Sequence, residues 1–282
     1  MAHKIALLAL ASEKHPWQQI QTEAQQPLFL NQASDEVVPL WVYGRPASSK
    51  EQLVIKRIEQ QIRRDRYLQM LSALVGTRPI GWKPDRLSRQ LTALVGNYDE
   101  SRVRRVKNNI YLDVPEGLAT LGLKTLWALE YLNQNESFSS IVRTNTSSFF
   151  DFEKLYEYIN KRFPLEYAGY NIRMGKVVCA SGAGTVLSQE RVKSILNHKE
   201  LWNHGFMDDQ ALGVLSRLLD FESPTHMPRF DFDPVARHSG EIDDAASYAA
   251  GHFHWRCKSF NFDIEIARMK ELALAIQERK KP

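Results

Sequence analysis

Residues 4–11, Lys4-Ile5-Ala6-Leu7-Leu8-Ala9-Leu10-Ala11, are an almost unbroken apolar run of strand length. Such a run is expected of a central parallel strand covered on both faces, because a strand with one wet face alternates apolar with polar residues. Ser12-Glu13-Lys14-His15-Pro16 ends it at once, which speaks for a buried first strand rather than a secretory signal. Residues 17–25 then carry a helical pattern that stops near Pro27. Val37-Val38-Pro39-Leu40-Trp41-Val42-Tyr43 reads as a second strand, closed by Gly44-Arg45-Pro46. Strand, helix, strand is the opening of an α/β sheet.

The same alternation continues outward. Residues 109–114 read as a third strand, 117–132 as an amphipathic helix, 138–144 as a fourth strand and 152–159 as a helix. Residues 177–180 read as a further strand followed by a small-residue turn. A helix over 188–196 has Ser188 as its N-cap, and one over 208–219 begins with two acids, where the helix dipole favours negative charge. The expected fold is a single Rossmann-like α/β domain, with a mostly parallel sheet and helices on both faces. Residues 47–107 stand apart as a helical insertion. Lys56, Arg57, Arg63, Arg64 and Arg66 crowd one segment of it, and Arg102, Arg104, Arg105 and Lys107 form a second basic patch. These are solvated faces, a lip over the site, or a surface for an anionic lipid or polymer.

Bulk composition narrows the class. The chain has 282 residues, 43% hydrophobic and 25% charged, with a net charge of +4. That excess suits a phosphate-bearing ligand and is too small to require nucleic acid. The two cysteines, Cys179 and Cys257, lack metal-ligand spacing and read as buried free thiols, which points weakly to a reducing, cytoplasmic setting. No zinc site, P-loop or glycine-rich dinucleotide fingerprint is present in the sequence.

Four motifs carry chemistry, in order. Asp113 is followed by Leu123-Lys124-Thr125; Arg143-Thr144-Asn145-Thr146-Ser147-Ser148-Phe149 ends the fourth strand; Ala180-Ser181-Gly182-Ala183-Gly184 follows; Met207-Asp208-Asp209-Gln210-Ala211-Leu212-Gly213 opens a helix. Glycines allow close backbone approach to a ligand. A carboxylate can act as a general base, although Asp208 and Asp209 would also serve simply as first-turn acids. Near the C-terminus, alternation would put His252, His254, Arg256 and Lys258 on one strand face, where four basic groups call for an anion.

Taken in that order, the motifs resemble the core of glycosyltransferase family 31, the β-1,3-galactosyltransferase and fringe group. The resemblance covers residues 109–213 well and 4–44 weakly, with the C-terminal part matched loosely. It implies a GT-A type fold and an inverting hexosyl transfer from a nucleotide diphosphate sugar, UDP-linked, to a glycan hydroxyl. Asp209 would be the base and Asp208 its companion. Lys124, Arg143, Asn145, Ser147, Ser181, Gly182, Gly184, His252, His254, Arg256 and Lys258 would serve the donor, with residues from about 220 to 282 closing its site. Surface glycan synthesis on the cytoplasmic side, with peripheral contact to an anionic membrane, is the implied setting. A transferase acting on modified nucleic acid and a non-catalytic glycan- or nucleotide-binding relative are the alternatives. Where the family has three acids that hold a divalent metal, this chain has Asn145, Thr146 and Ser147, a neutral set that binds Mg²⁺ or Mn²⁺ poorly. Asp231 with Asp233, and Asp243 with Asp244, read as solvated loop acids or as substitutes for those lost metal ligands.

Overall fold

A computed structural model describes residues 3–75, 86–174, 177–232 and 251–280, with side chains described outside residues 65–75. Asp233, Asp243, Asp244 and the side chain of Arg66 lie outside the described residues.

The main sheet contains β1 (Ile5–Leu10), β2 (Val37–Arg45), β3 (Val103–Val106), β4 (Asn109–Pro115), β5 (Ser140–Asn145), β7 (Tyr167–Met174), β8 (Val177–Ser188) and β9 (Thr225–His226). Their order is β3-β4-β2-β1-β5-β8-β7-β9. β1 pairs in parallel with both β2 and β5, and β2 with β4. β7 and β9 also pair in parallel, whereas β3–β4, β5–β8 and β7–β8 are antiparallel, so the sheet is mixed. A second, three-stranded sheet joins β6 (Ser148–Phe150), β10 (Phe230–Asp231) and β11 (His254–Arg256).

Strand β1 shows why the apolar run must be continuous. Ala6, Leu8 and Leu10 enter one core, with residues of α3 (Ser49–Val75), α4 (Arg86–Val95), α5 (Leu121–Asn135), α7 (Gln189–Asn197) and α8 (Asp208–Leu218). Ile5, Leu7 and Ala9 enter the other, with α6 (Phe152–Asn160), the C-terminal helix α9 (Phe262–Arg279) and the small sheet. Period-2 alternation thus feeds two cores from one strand.

Three local readings change. The first helix does not stop at Pro27. It passes from α1 (Trp17–Ile20) through a π-helical stretch (Gln21–Gln25) into α2 (Gln26–Leu30), with Pro27 in the first turn of the new segment. Among the described residues the insertion is helical in α3, α4 and a 3-10 turn at Glu100–Arg102, but its last part is β3, an edge strand hairpinned onto β4. The small residues 181–184 are no turn but the middle of β8, a strand of 12 residues.

The topology positions the site. From β1 the chain moves to β2 and β4 on one side and returns to β5 on the other. In such sheets a crevice forms where the direction of winding changes, beyond the carboxyl ends of the strands.

Candidate active site

A cleft of about 740 Å³ opens at that point, and Ala11 and Ser12 after β1 and Asn145 at the end of β5 line it. Lys124, Arg143, Asn145, Ser147, Gly182, Asp208, Asp209, Arg256 and Lys258 all border it, so nine of the residues singled out in the sequence converge.

The N-terminus of α8 forms one wall. Arg143 shares the face of Ile141 on β5, and so reaches α8 and pairs with the Asp208 carboxylate. Its other nitrogen donates to the Gly182 carbonyl, and the Thr125 hydroxyl donates to Asp208 at 3.3 Å. Burial pushes the Asp208 carboxyl above the usual range, while Arg143 pulls it back. Asp208 is therefore consumed in a buried ion pair. Asp209 is placed differently. Its carboxylate accepts from the Gly182 N–H at 3.0 Å and the Gln210 N–H at 2.9 Å, it borders the cleft, and it makes no ion pair among the described residues. A Cβ on Gly182 would strike the Arg143 guanidinium, so a glycine here lets both acids be held at once.

The floor holds Lys124, 1% exposed, which pairs with Glu116 at 2.6 Å and donates to the Ala11 carbonyl at 2.8 Å. Burial pulls this ammonium below its ordinary value against the pull of Glu116. Beside it, Asn145–Ser147 form the tight turn from β5 into β6. The Asn145 side-chain oxygen accepts from the Ser147 N–H at 3.1 Å and the Ser148 hydroxyl at 3.0 Å. Gln25 donates to the Asn145 and Ser148 carbonyls at 2.7 and 3.0 Å. The turn's best oxygen ligand is thus already engaged, and its neighbours are hydroxyls. Among the described residues no three His, Cys, Asp or Glu side chains converge. This donor set does not fit Mg²⁺ or Mn²⁺.

The opposite wall comes from the C-terminal segment. β11 pairs Arg256 with Ser148 of β6, which brings that guanidinium next to the turn. Burial lowers its pKa, and Asp209 and Glu265 lie near enough to raise it again. Lys258 follows on the same lip.

A charge inventory separates the paired from the free. Lys124–Glu116 and Arg143–Asp208 cancel. The cleft keeps Lys14, Arg63, Arg256 and Lys258, none in an ion pair among the described residues, against Asp209, Glu59 and Glu265. Glu59 accepts from the Leu118 N–H at 2.9 Å and Glu265 from the Ser259 N–H at 2.8 Å, and burial pushes the Glu265 carboxyl upward. Four unpaired cations thus stand against three carboxylates, a small positive excess of the kind that suits an anion.

Four expected donor residues are not at the cleft. His254 is fully buried, stacked on Phe150 with ring centroids 4.2 Å apart, and burial holds its pKa well below the ordinary value. Gly184 faces His254 and makes room for its ring. The Ser181 hydroxyl accepts from Arg229 at 2.8 Å. His252 packs against Phe230, with burial lowering its pKa. The one-face reading of residues 252–258 therefore fails, because β11 covers only His254–Arg256 and its histidine is used in packing. Asp113, the strand-ending acid, is held by Arg45 and Arg102, and Asp231 pairs with Arg229. The basic patch at 102–105 is largely engaged: Arg102 on Asp113, Arg104 over the Tyr111 ring at 4.4 Å, Arg105 on Glu136.

Sequence reasoning missed Lys14 and Glu265, and the exposed aromatics Trp17 and Phe260, whereas Arg63, read there as part of a basic segment that could form a lip over the site, does border the cleft. Position alone would have flagged Lys14 and Trp17, just past the carboxyl end of a central parallel strand. Phe260 lies on the approach to α9 and Glu265 in its first turn, where no motif marks them.

No helix among the described residues is long and apolar enough to cross a membrane. No protein-family model matches the chain, and no curated protein matches it.

Proposed function

We propose that this protein is a GT-A type, inverting glycosyltransferase that moves a hexose from a nucleotide diphosphate sugar, UDP-linked on the family resemblance, to a glycan hydroxyl. The observation that carries the reading is the pairing pattern of the cleft. Lys124–Glu116 and Arg143–Asp208 neutralise each other below the surface, and what remains at the cleft is four unpaired cations against Asp209, Glu59 and Glu265, with Asp209 at the start of the helix that forms its wall.

The chemistry follows from that arrangement. The acceptor hydroxyl oxygen attacks the anomeric carbon as its proton passes to Asp209. The bond from that carbon to the diphosphate oxygen breaks with its electron pair, and the diphosphate departs with one more negative charge. Positioned cations stabilise a charge that develops in the transition state. Arg256 does so with a planar fork of donors and Lys258 as a point charge. Asp208, locked by Arg143, orients the helix that carries the base. No step passes through a metal.

The test is product stereochemistry. Incubation with a panel of UDP-hexoses and simple glycan acceptors in EDTA, read by proton NMR, is expected to give a product of inverted anomeric configuration. A retained configuration, or no transfer and no nucleotide binding across the panel, would overturn the reading.

A further inference from the structure

The loop after β11 presents an aromatic ring to solvent on a braced backbone. The Ser259 N–H donates to Glu265 at 2.8 Å, and Arg268 donates to the Lys258 carbonyl at 3.1 Å and the Cys257 carbonyl at 3.3 Å. Asn261 caps α9 by accepting from the Asp263 N–H at 2.9 Å. Glu265 and Arg268 are both buried. Between these anchors Phe260 stands 82% exposed. A large apolar side chain on an unconstrained loop would fold back onto the surface; here the backbone is fixed on both sides and the ring is held out.

A second exposed aromatic borders the same cleft. Trp17, 49% exposed, opens α1. The two loops touch, since the His15 and Phe262 rings meet edge-on with centroids 4.8 Å apart. Lys14 and Lys258 sit on the same two loops and border the same cleft. The rim therefore combines flat apolar faces with unpaired cations, the two features that recognise a planar ring joined to phosphates.

We infer that Trp17 and Phe260 form an aromatic subsite for the base of the nucleoside whose diphosphate Arg256 and Lys258 take. This rests on the function proposed above and adds to it which residues recognise the nucleoside. Because Phe260 is exposed without ligand, it gains a stacking partner on binding and acts as a cover over the base.

Calorimetric titration with UDP and with inorganic pyrophosphate separates the two halves of the site. Phe260→Ala is expected to weaken UDP roughly 5- to 150-fold, the worth of one base–aromatic stack, and to leave pyrophosphate unchanged. Phe260→Tyr should restore UDP binding. Arg256→Ala should weaken both probes. Equal UDP affinity in wild type and Phe260→Ala would overturn the subsite and leave the transferase reading standing. Failure of both probes to bind wild type would sink both. Sedimentation with phosphatidylglycerol vesicles covers the rival use of an aromatic, basic rim. Vesicle binding lost in Phe260→Ala with UDP affinity unchanged would assign the ring to a membrane instead.

Discussion

Asp208 and Asp209 are neighbours in sequence with opposite situations. Asp208 is buried against Arg143, so removing one partner leaves the other charge stranded. Arg143→Met should cost about 3–5 kcal/mol of stability, read as a lowered urea midpoint. Asp209 touches only two backbone N–H groups, so Asp209→Asn should keep the fold while lowering turnover about 10²–10⁴-fold. An equal stability loss in both variants would mean that Asp209 is structural as well. Cys179 belongs to the same scale. Burial pushes its thiol up to about 12, so almost no thiolate exists at neutral pH. Native protein should resist iodoacetamide at Cys179 and react only when unfolded.

At the scale of elements, the insertion is fixed to the sheet at its first turn. The Ser48 N–H donates to Glu51 at 2.7 Å and the Glu51 N–H to Ser48 at 3.4 Å, a reciprocal helix cap, and Arg45 at the end of β2 grips the same carboxylate at 2.7 Å. Arg45 and the Ser48 donors together hold the Glu51 carboxyl at about 2, below its ordinary 4.5. A carboxyl that titrates lower when folded stabilises the fold in its ionised form. Its contribution, about 3 kcal/mol at most, is complete above pH 4.5 and lost as pH falls through 2. Glu51→Gln should remove that slope from a plot of urea midpoint against pH; an unchanged slope would place the pH dependence elsewhere. The small sheet is tied to the large one by close fit at Gly184 as well as by the Arg229–Ser181 hydrogen bond. Gly184→Ala would push a methyl into the His254 ring and displace the strand that carries Arg256. It should cost about 1–3 kcal/mol and weaken UDP binding as well.

These elements also show what was legible in the chain. β1 was, because burial on both faces forces an unbroken apolar run. The caps of α7 and the acids of α8 were, because a helix start is a local affair: Ser188 accepts from the Arg191 N–H at 3.1 Å as its position suggests. Residues 181–184 misled, since small residues fit a close-packed strand as well as a turn. His254 misled for a different reason. Alternation says which residues share a face of a strand, not whether that face meets solvent or Phe150, and the small sheet that buries it joins segments some 100 residues apart in sequence.

For the whole molecule, the cleft is assembled from α3, the loop after β1, the end of β5, the start of α8 and the segment before α9. The unpaired cations it gathers come from three of these, which is why no local pattern announced Lys14. A cleft that holds its ligand chiefly by charge should lose affinity as salt rises, and binding of UDP should weaken steadily between low and physiological ionic strength. The central claim joins that anion site to one base and to chemistry without a metal. The most direct measurement is single-turnover transfer from the preferred UDP-hexose in EDTA and in Mn²⁺, for wild type and Asp209→Asn. The account predicts equal wild-type rates in both conditions, and near-complete loss in the variant with UDP affinity retained. A rate that requires Mn²⁺, or full activity in Asp209→Asn, would contradict it.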